Sequence, residues 1–575
     1  MQLEFRKDKL PCMQPVVQDD QVQEQTQEIR ISDGMPDIGS ILCTWGQVIL
    51  RGKEWDGDSI TVNGGTMVWV QYLPDGGEIP ETVECWLPFQ LRWNLPEAKQ
   101  EGMLLTQLLL KSVDARSTSA RKMILRTNIA AKIGAMERCL KEIFVPEEKP
   151  EDVQLHTQSY PVLLTTEAGE KAFSLEETFP LGLQSAKICA YWLQPEITEH
   201  RIMGDKVVFR GNGALQVLIQ TPDGSLHSRN FELPFSQYSE LDAECSEEVE
   251  VVFCPVVTSL EAEITESDLR VKAGITGQYE IRSRPVIRVV TDAYSPCRDL
   301  ALQQDILELP GILESKNQTV RARLHTPSDG IQVAAAQFLP GVPTVAVNDS
   351  GAQITLQGHF QTLQYDLDGV PKSSSGKWEQ QLQVPMDESG RMEAQLMPLG
   401  TVQTNILSGQ LQQQSDLRLQ TDTRMDTGIS VVTGLELGEL RQPDPGRPSI
   451  ILRRAGSHTL WELAKTSGST VEDIMQANHL HEEPEEEQTD SEETEPQEPE
   501  EAPALLSVAP NKRLYSLVSE ETEEKVADAD LESSGNIPLE PDGARKVRGK
   551  KQKPQRSPYH ERPYLHYGGQ FTPET

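Results

Sequence analysis

The side chains that could do chemistry are scattered along this chain. Of its ten histidines His479 and His481 are the closest set, with His458 upstream of them, and no pair is set at H-E-x-x-H spacing. A zinc hydrolase needs that spacing to put two imidazoles and a base on one helical face. Neither G-x-S-x-G, G-x-x-x-x-G-K-[ST] nor G-x-G-x-x-G follows a strand-like run, which argues against an activated serine, a phosphate cradle and a dinucleotide turn. The eight cysteines fall between Cys12 and Cys297 without C-x-x-C spacing or a local histidine. They are expected to stay reduced, as small core residues. No catalytic residue, metal ligand or cofactor is assigned, and the chain is expected not to be an enzyme.

A pattern suited to binding appears further on. In Thr459-Leu460-Trp461-Glu462-Leu463-Ala464-Lys465 the T-x-x-E spacing is a capping box, with Leu460, Leu463 and Ala464 on one helical face. Gly468 ends that helix. A second box at Thr470-Val471-Glu472-Asp473 opens another helix, with Val471, Ile474 and Ala477 facing inward and Asn478 closing it. Trp461 is expected in the core rather than on a sugar-stacking surface. A strand at 450–453 precedes the pair, and Leu505-Leu506-Ser507-Val508 is a candidate partner strand.

The elements before this module repeat. Gly64, Gly211 and Gly358 are each 147 residues apart, inside Ile60-Thr61-Val62-Asn63-Gly64, Val207-Val208-Phe209-Arg210-Gly211 and Ile354-Thr355-Leu356-Gln357-Gly358. Asp75-Gly76, Asp223-Gly224 and Asp368-Gly369 follow at nearly the same offset, and Leu87-Pro88-Phe89 recurs as Leu233-Pro234-Phe235. In the second half of each unit Met123-Ile124-Leu125, Asp268-Leu269-Arg270-Val271 and Asp416-Leu417-Arg418-Leu419 correspond. Alternating apolar and polar residues, β-branched enrichment and Asp-Gly turns predict short strands and hairpins. Each unit is therefore expected to be a sandwich or small barrel.

Composition limits the partners. The formal charge is −36, with 37% hydrophobic and 5% aromatic residues. Such a chain repels nucleic acid and anionic membranes, and part of it is expected to be unfolded. Residues 482–503 are nearly all Glu, Asp, Pro, Gln and Thr and contain no Lys or Arg, which predicts a disordered acidic insertion. The tail at 511–575 turns basic and then tyrosine-bearing (Tyr559, Tyr564, Tyr567) and is expected to be disordered too. No apolar stretch resembles a signal peptide or a membrane span, so the expectation is a soluble cytosolic protein with no membrane insertion.

Short motifs connect the repeats to a family. Gly34-Met35-Pro36-Asp37-Ile38-Gly39-Ser40-Ile41-Leu42 and Glu167-Ala168-Gly169-Glu170-Lys171-Ala172-Phe173 resemble the start of a SPOCS domain, and Thr291-Asp292-Ala293-Tyr294-Ser295-Pro296 resembles the linker after the second such domain. The third unit has no Pro-Asp-Ile-Gly start. Thr459-Leu460-Trp461, Ile474 and Ala477-Asn478-His479-Leu480 resemble a LysM module, although Ser457-His458 replaces the usual Gly-Asp. Together these features resemble spore coat assembly proteins of the stage VI sporulation protein D type.

The resemblance implies a fold and a function. The fold is mostly β: three sandwich or barrel-like units at 1–178, 179–327 and 328–440, then a βααβ LysM-like module at 449–510. The function implied is non-catalytic assembly of the spore envelope, from the mother-cell cytoplasm at the surface of the developing spore. Other spore-envelope proteins would be partners of the β units. Peptidoglycan or another glycan containing N-acetylglucosamine would lie in a groove between Ser457, His458, Thr459 and Leu460 on one side and Ile474, Asn478, His479 and Leu480 on the other. Two alternatives stay open, a glycan-binding protein of the vegetative wall and a wall hydrolase.

Overall fold

The structure, a computed structural model, describes residues 2–95, 102–146, 150–182, 186–242, 249–265, 267–348, 351–386, 391–441, 451–454, 459–480 and 505–508. The acidic insertion and the basic tail expected at 482–503 and 511–575 lie outside the described residues.

Three units share one plan. A leading strand is followed by a meander and then by a hairpin, whose second strand returns to pair with the leading strand. In the first unit β1 (Gln2–Arg30) leads, β2 (Ile38–Asp56), β3 (Ser59–Pro74) and β4 (Glu81–Asn94) form the meander, and β5 (Met103–Ser119) and β6 (Lys122–Pro146) the hairpin. A separate strand, β7 (Gln154–Pro161), then precedes the second leading strand, β8 (Leu164–Pro180). Its meander is β9 (Lys187–Met203), β10 (Lys206–Gln220) and β11 (Leu226–Glu240), and its hairpin β12 (Glu250–Thr265) and β13 (Asp268–Ser283). β14 (Val286–Tyr294) turns back to pair with β7. The third unit runs from β15 (Arg298–Pro327) through β16 (Gly330–Pro340), β17 (Thr344–Asn348), β18 (Gly351–Asp366) and β19 (Pro371–Val384) to β20 (Arg391–Leu407) and β21 (Gln410–Leu440). Gly341 and Pro343 split the first meander strand of that unit into β16 and β17, since proline has no N–H for the ladder.

Alternation builds the cores. Along β10 Val207, Phe209, Leu215 and Val217 are fully buried, while Arg210 points to solvent. The first unit encloses Ile60, Val62 and Val68 of the meander against Leu104, Met123 and Leu125 of the hairpin. Ile354, Leu356 and Phe360 meet Leu396, Leu417 and Leu419 in the third in the same way. The sheets stay open, so the units are sandwiches, and the barrel alternative does not describe them.

Pairing places the unit limits elsewhere than the sequence ranges 1–178 and 179–327. β8 pairs with β13, so the second unit begins at Leu164, and β15 pairs with β21, so the third begins at Arg298. The repeated markers lie in the meanders and hairpins; they define a spacing but not which strand closes each sandwich.

The glycines at 147-residue spacing have a steric cause. A Cβ on Gly64 would stand 2.5 Å from the Phe89 ring, and one on Gly211 would stand 2.5 Å from Phe235. Both phenylalanines are directly opposite on the edge strand. On Gly358 it would meet Phe338, with Trp378 opposite. An aromatic ring thus lies on bare backbone in each unit. Pro88 and Pro234 beside these phenylalanines are tolerated because β4 and β11 are sheet edges.

The units are joined through equivalent parts. Trp45 of β2 stacks on Trp192 of β9 with centroids 5.2 Å apart, and Gln337 of β16 bonds both the N–H and the C=O of Gly46 at 3.3 and 2.8 Å. Gln107 of β5 reaches the Leu396 carbonyl at 2.9 Å, and Gln278 of β13 grips Thr106 at both backbone groups. A cavity of about 130 Å³ lies where the three units meet, lined among others by Gln47, Gln107, Gln337 and Pro340. Arg282 of β13, 2% exposed, is clamped by Asp422 of β21 at 2.7 and 2.9 Å and by Glu280 at 2.9 Å. The end of β1 crosses between units as well, since residues 2–4 pair with 434–436 of β21.

Candidate functional site

The module after the third unit starts with β22 (Ile451–Arg454), antiparallel to β23 (Leu505–Val508) with Ile451 opposite Val508. The sequence places the first of these strands one residue earlier, and Ile450 lies outside the described residues. Between them stand two short helices. α1 (Leu460–Ser467) begins where Thr459, in extended conformation, accepts the Glu462 N–H on its hydroxyl at 3.2 Å. It ends at Gly468, whose φ of 60° only glycine adopts without strain. α2 (Val471–Ala477) repeats the start with Thr470, which accepts the Asp473 N–H at 3.0 Å.

The end of α2 is a Schellman motif. Asn478 is the cap, the Leu480 N–H reaches back to the Met475 carbonyl at 3.0 Å and the His479 N–H to Gln476 at 3.4 Å. His479 therefore sits in the left-handed region, φ 58°, without being glycine. The strain of that conformation is largest for branched side chains and modest for histidine.

The residues expected to line the groove divide into several kinds. Ser457 and His458 lie outside the described residues. Thr459 is exposed, but its hydroxyl is engaged as the cap. Leu460 is half-buried against the helical core, and Ile474 is fully buried within it. The Asn478 side chain donates to the Ile474 carbonyl at 2.7 Å and is committed to ending the helix. His479 and Leu480 face solvent, with Leu480 38% exposed. The two helices are joined by residues 468–470 and share a core of Leu463, Ala464 and Ile474. Ala477, expected to face inward, is exposed.

Trp461 is buried, as expected of a core residue, but in the seam with the β units and not between the helices. Its indole lies edge-on to Tyr294 of β14 and tilted over His156 of β7, both at 4.8 Å. Its N–H donates to the Asp292 carboxylate at 2.9 Å, and the Lys465 ammonium one turn on reaches the same carboxylate at 2.6 and 2.8 Å. The Tyr294 hydroxyl donates to the Ser469 carbonyl at 2.9 Å between the helices.

A bulge builds this socket. The β7–β14 register slips between Val290 and Asp292, leaving Thr291 as the extra residue, and such a bulge re-aims the side chains that follow. Ile287 and Val289 pack on Leu309 and Val431 of the third unit, while beyond the bulge Asp292 and Tyr294 meet α1. Burial raises the Asp292 carboxyl pKa, but the bonds from Lys465 and Trp461 outweigh it and hold the group below the usual carboxylate range. Burial pushes the Tyr294 phenol up, reinforced by the charges of Asp473 and Asp292. The sequence singles out Thr291–Pro296 as a motif, but the pairing of Asp292 with residues 461 and 465 depends on tertiary placement.

Among the described residues no group of three or more His, Cys, Asp and Glu is placed to hold a metal ion. No helix of the described residues is long and apolar enough to cross a membrane.

Among protein-family models, the one described as SipL, SPOCS domain, matches residues 186–265, which cover β9 to β12 of the second unit. No match was found among curated proteins or among solved structures. Over those residues the second unit is SPOCS-like, and this likeness points to a sporulation-related protein.

Proposed function

We propose that this chain is a non-catalytic assembly protein of the spore envelope, in which three β sandwiches bind other envelope proteins and the helical module, LysM-like in sequence, holds peptidoglycan or another glycan containing N-acetylglucosamine. The SPOCS-like match over residues 186–265 carries the reading. The module supports it, because its Trp461 face is anchored on β14 while His479 and Leu480 face solvent. The carbonyls of the turn at 478–480, whose N–H groups are engaged in ending the helix, would accept from the acetamido N–H, and Leu480 would contact its methyl. The site of action is the mother-cell cytoplasm, at the surface of the developing spore.

Sedimentation of the full chain with purified peptidoglycan tests the glycan half. His479→Gly keeps the left-handed backbone and removes the imidazole, and Leu480→Ser removes the apolar contact. The double variant should lose about tenfold in affinity, roughly 1.4 kcal/mol, at unchanged melting temperature. Equal retention of the double variant would exclude this turn as the glycan contact. A fluorescent fusion that stays diffuse in sporulating cells would remove the envelope role.

A further inference from the structure

We propose that Cys12 and Cys139 form a redox pair that closes to a cross-strand disulfide, with a low-molecular-weight disulfide as oxidant, and that this bond locks the N-terminal strand in place. The register of β1 on β6 sets the two residues directly opposite each other, and their Sγ atoms are 3.0 Å apart. Directly opposed residues of an antiparallel pair have Cα atoms roughly 4.5–5.5 Å apart, inside the range of about 4.4–6.8 Å that a disulfide spans. Little backbone movement is needed to close the bond. Other thiols are occupied differently. Cys43 and Cys189 turn to backbone carbonyls, Cys254 to the Thr106 carbonyl and the Gln395 amide, and Cys297 to Ser295 and Asp152.

The two sulfurs have unequal access. Cys12 is 2% exposed, whereas Cys139 is half-buried. Burial, with the neighbouring thiol, pushes the Cys12 thiol up to about 12, so the reaction starts at Cys139. Its thiolate attacks one sulfur of the oxidant, the oxidant's S–S bond breaks, and one half leaves as a thiol. Cys12 then gives up its proton and attacks Cys139 Sγ in the mixed disulfide, and the second half leaves as a thiol. Two protein thiols lose two protons and two electrons, and the oxidant takes up both. Contact at 3.0 Å makes the second step intramolecular, which offsets the high pKa of Cys12.

The bond has a structural consequence because β1 belongs to two units. It closes the first sandwich along β6, and its residues 2–4 pair with β21 of the third unit. Linking β1 to β6 fixes the strand that bridges the seam.

The test uses the full chain, purified with reduced thiols and exposed to oxidised glutathione. After quenching with N-ethylmaleimide, digestion without reductant should yield one dominant cross-linked pair containing Cys12 and Cys139, with two fewer alkylated thiols per chain. In Cys12→Ser the reaction should stop at a glutathione adduct on Cys139. A glutathione adduct that persists on Cys139 in the unaltered chain, or full alkylation of both cysteines, would overturn the pair. Amide exchange of residues 8–16 should slow at least tenfold on oxidation and recover with reductant, while the Cys12→Ser chain shows no change. Equal exchange in both states would overturn the lock. Circular dichroism of Cys12→Ser and Cys139→Ala identifies any variant that fails to fold, and the cross-link in the unaltered chain decides the proposal in either case.

Discussion

At the scale of single residues the repeat is a matter of volume. A glycine recurs where an aromatic ring from the edge strand covers the backbone, and no other residue leaves that space. Gly211→Ala would drive its methyl into the Phe235 ring and the Glu196 carbonyl, which stand 2.5 and 2.1 Å from the new carbon. Overpacking of this kind costs about 1–3 kcal/mol, measurable as a lower denaturant midpoint. Gly134 of β6 has nothing within 4 Å of its would-be Cβ. Gly134→Ala should therefore be neutral or stabilise by up to about 1 kcal/mol. A similar loss at both positions would show that the aromatic cover is not the cause. The Gly64, Gly211 and Gly358 spacing was legible in the sequence for this reason, as were Thr459 and Thr470, whose capping depends only on residues three positions away. The Cys12–Cys139 contact was not legible. It requires the register of two strands 127 residues apart, and the scattered spacing of the cysteines suggests only isolated thiols.

At the scale of elements one carboxylate receives two polar contacts from the first helix of the module. Asp292 accepts from Trp461 and from Lys465, and its native pKa is lowered. A lowered carboxylate contributes stability that is fully present above its free pKa of about 3.9 and is lost as pH falls through the native value. Docking of α1 should therefore hold from neutral pH down to about 5 and weaken progressively below it. Amide exchange in residues 460–467, corrected for the intrinsic pH dependence, should show this loss of protection. Asp292→Asn should lower protection already at pH 7 and flatten its dependence on pH. A native-like profile in that variant would mean that the aromatic contacts and the Tyr294–Ser469 hydrogen bond hold the module without it. The sequence gives the helices but not their seat: the inward stripe Leu460, Leu463 and Ala464 follows from periodicity, whereas Trp461 is taken out of that stripe by β14. Ala477 shows the opposite limit, because a small apolar residue at an inward position of the last turn is left in solvent where no neighbour covers it.

At the scale of the whole molecule the sandwiches depend on one another. Arg282 belongs to the second unit, yet two of its closest bonds go to Asp422 of the third. Removal of one member of a buried pair leaves a charge that the interior cannot solvate, at a cost of about 3–5 kcal/mol. Arg282→Met should lower the unfolding free energy by that amount, since it strands the Asp422 carboxylate beside Glu280, and Asp422→Ala by less, because Arg282 retains Glu280 at 2.9 Å. A chain ending at residue 296 should unfold at lower denaturant than the full protein and with a broader transition. If that fragment matched the full chain, the units would be independent. Periodicity displays three units with nothing to say that they are joined, because the glutamines and charges at their junctions follow no repeat.

The pairing of residues 2–4 with 434–436 also has a consequence in time. The first strand leaves the ribosome about 430 residues before its last partner exists. At roughly 5–20 residues per second that interval is on the order of 20 to 90 s. Residues 5–30 can settle on β6 early, once the first unit is out, but the opening residues of β1 stay an unpaired edge until nearly the whole β body has been made. An edge of that kind recruits any passing strand, and in this chain the charged residues Arg6, Lys7, Asp8 and Lys9 follow directly on it. During synthesis those charges discourage contact between nascent chains on neighbouring ribosomes, a protection that the finished fold, with the edge covered, no longer requires.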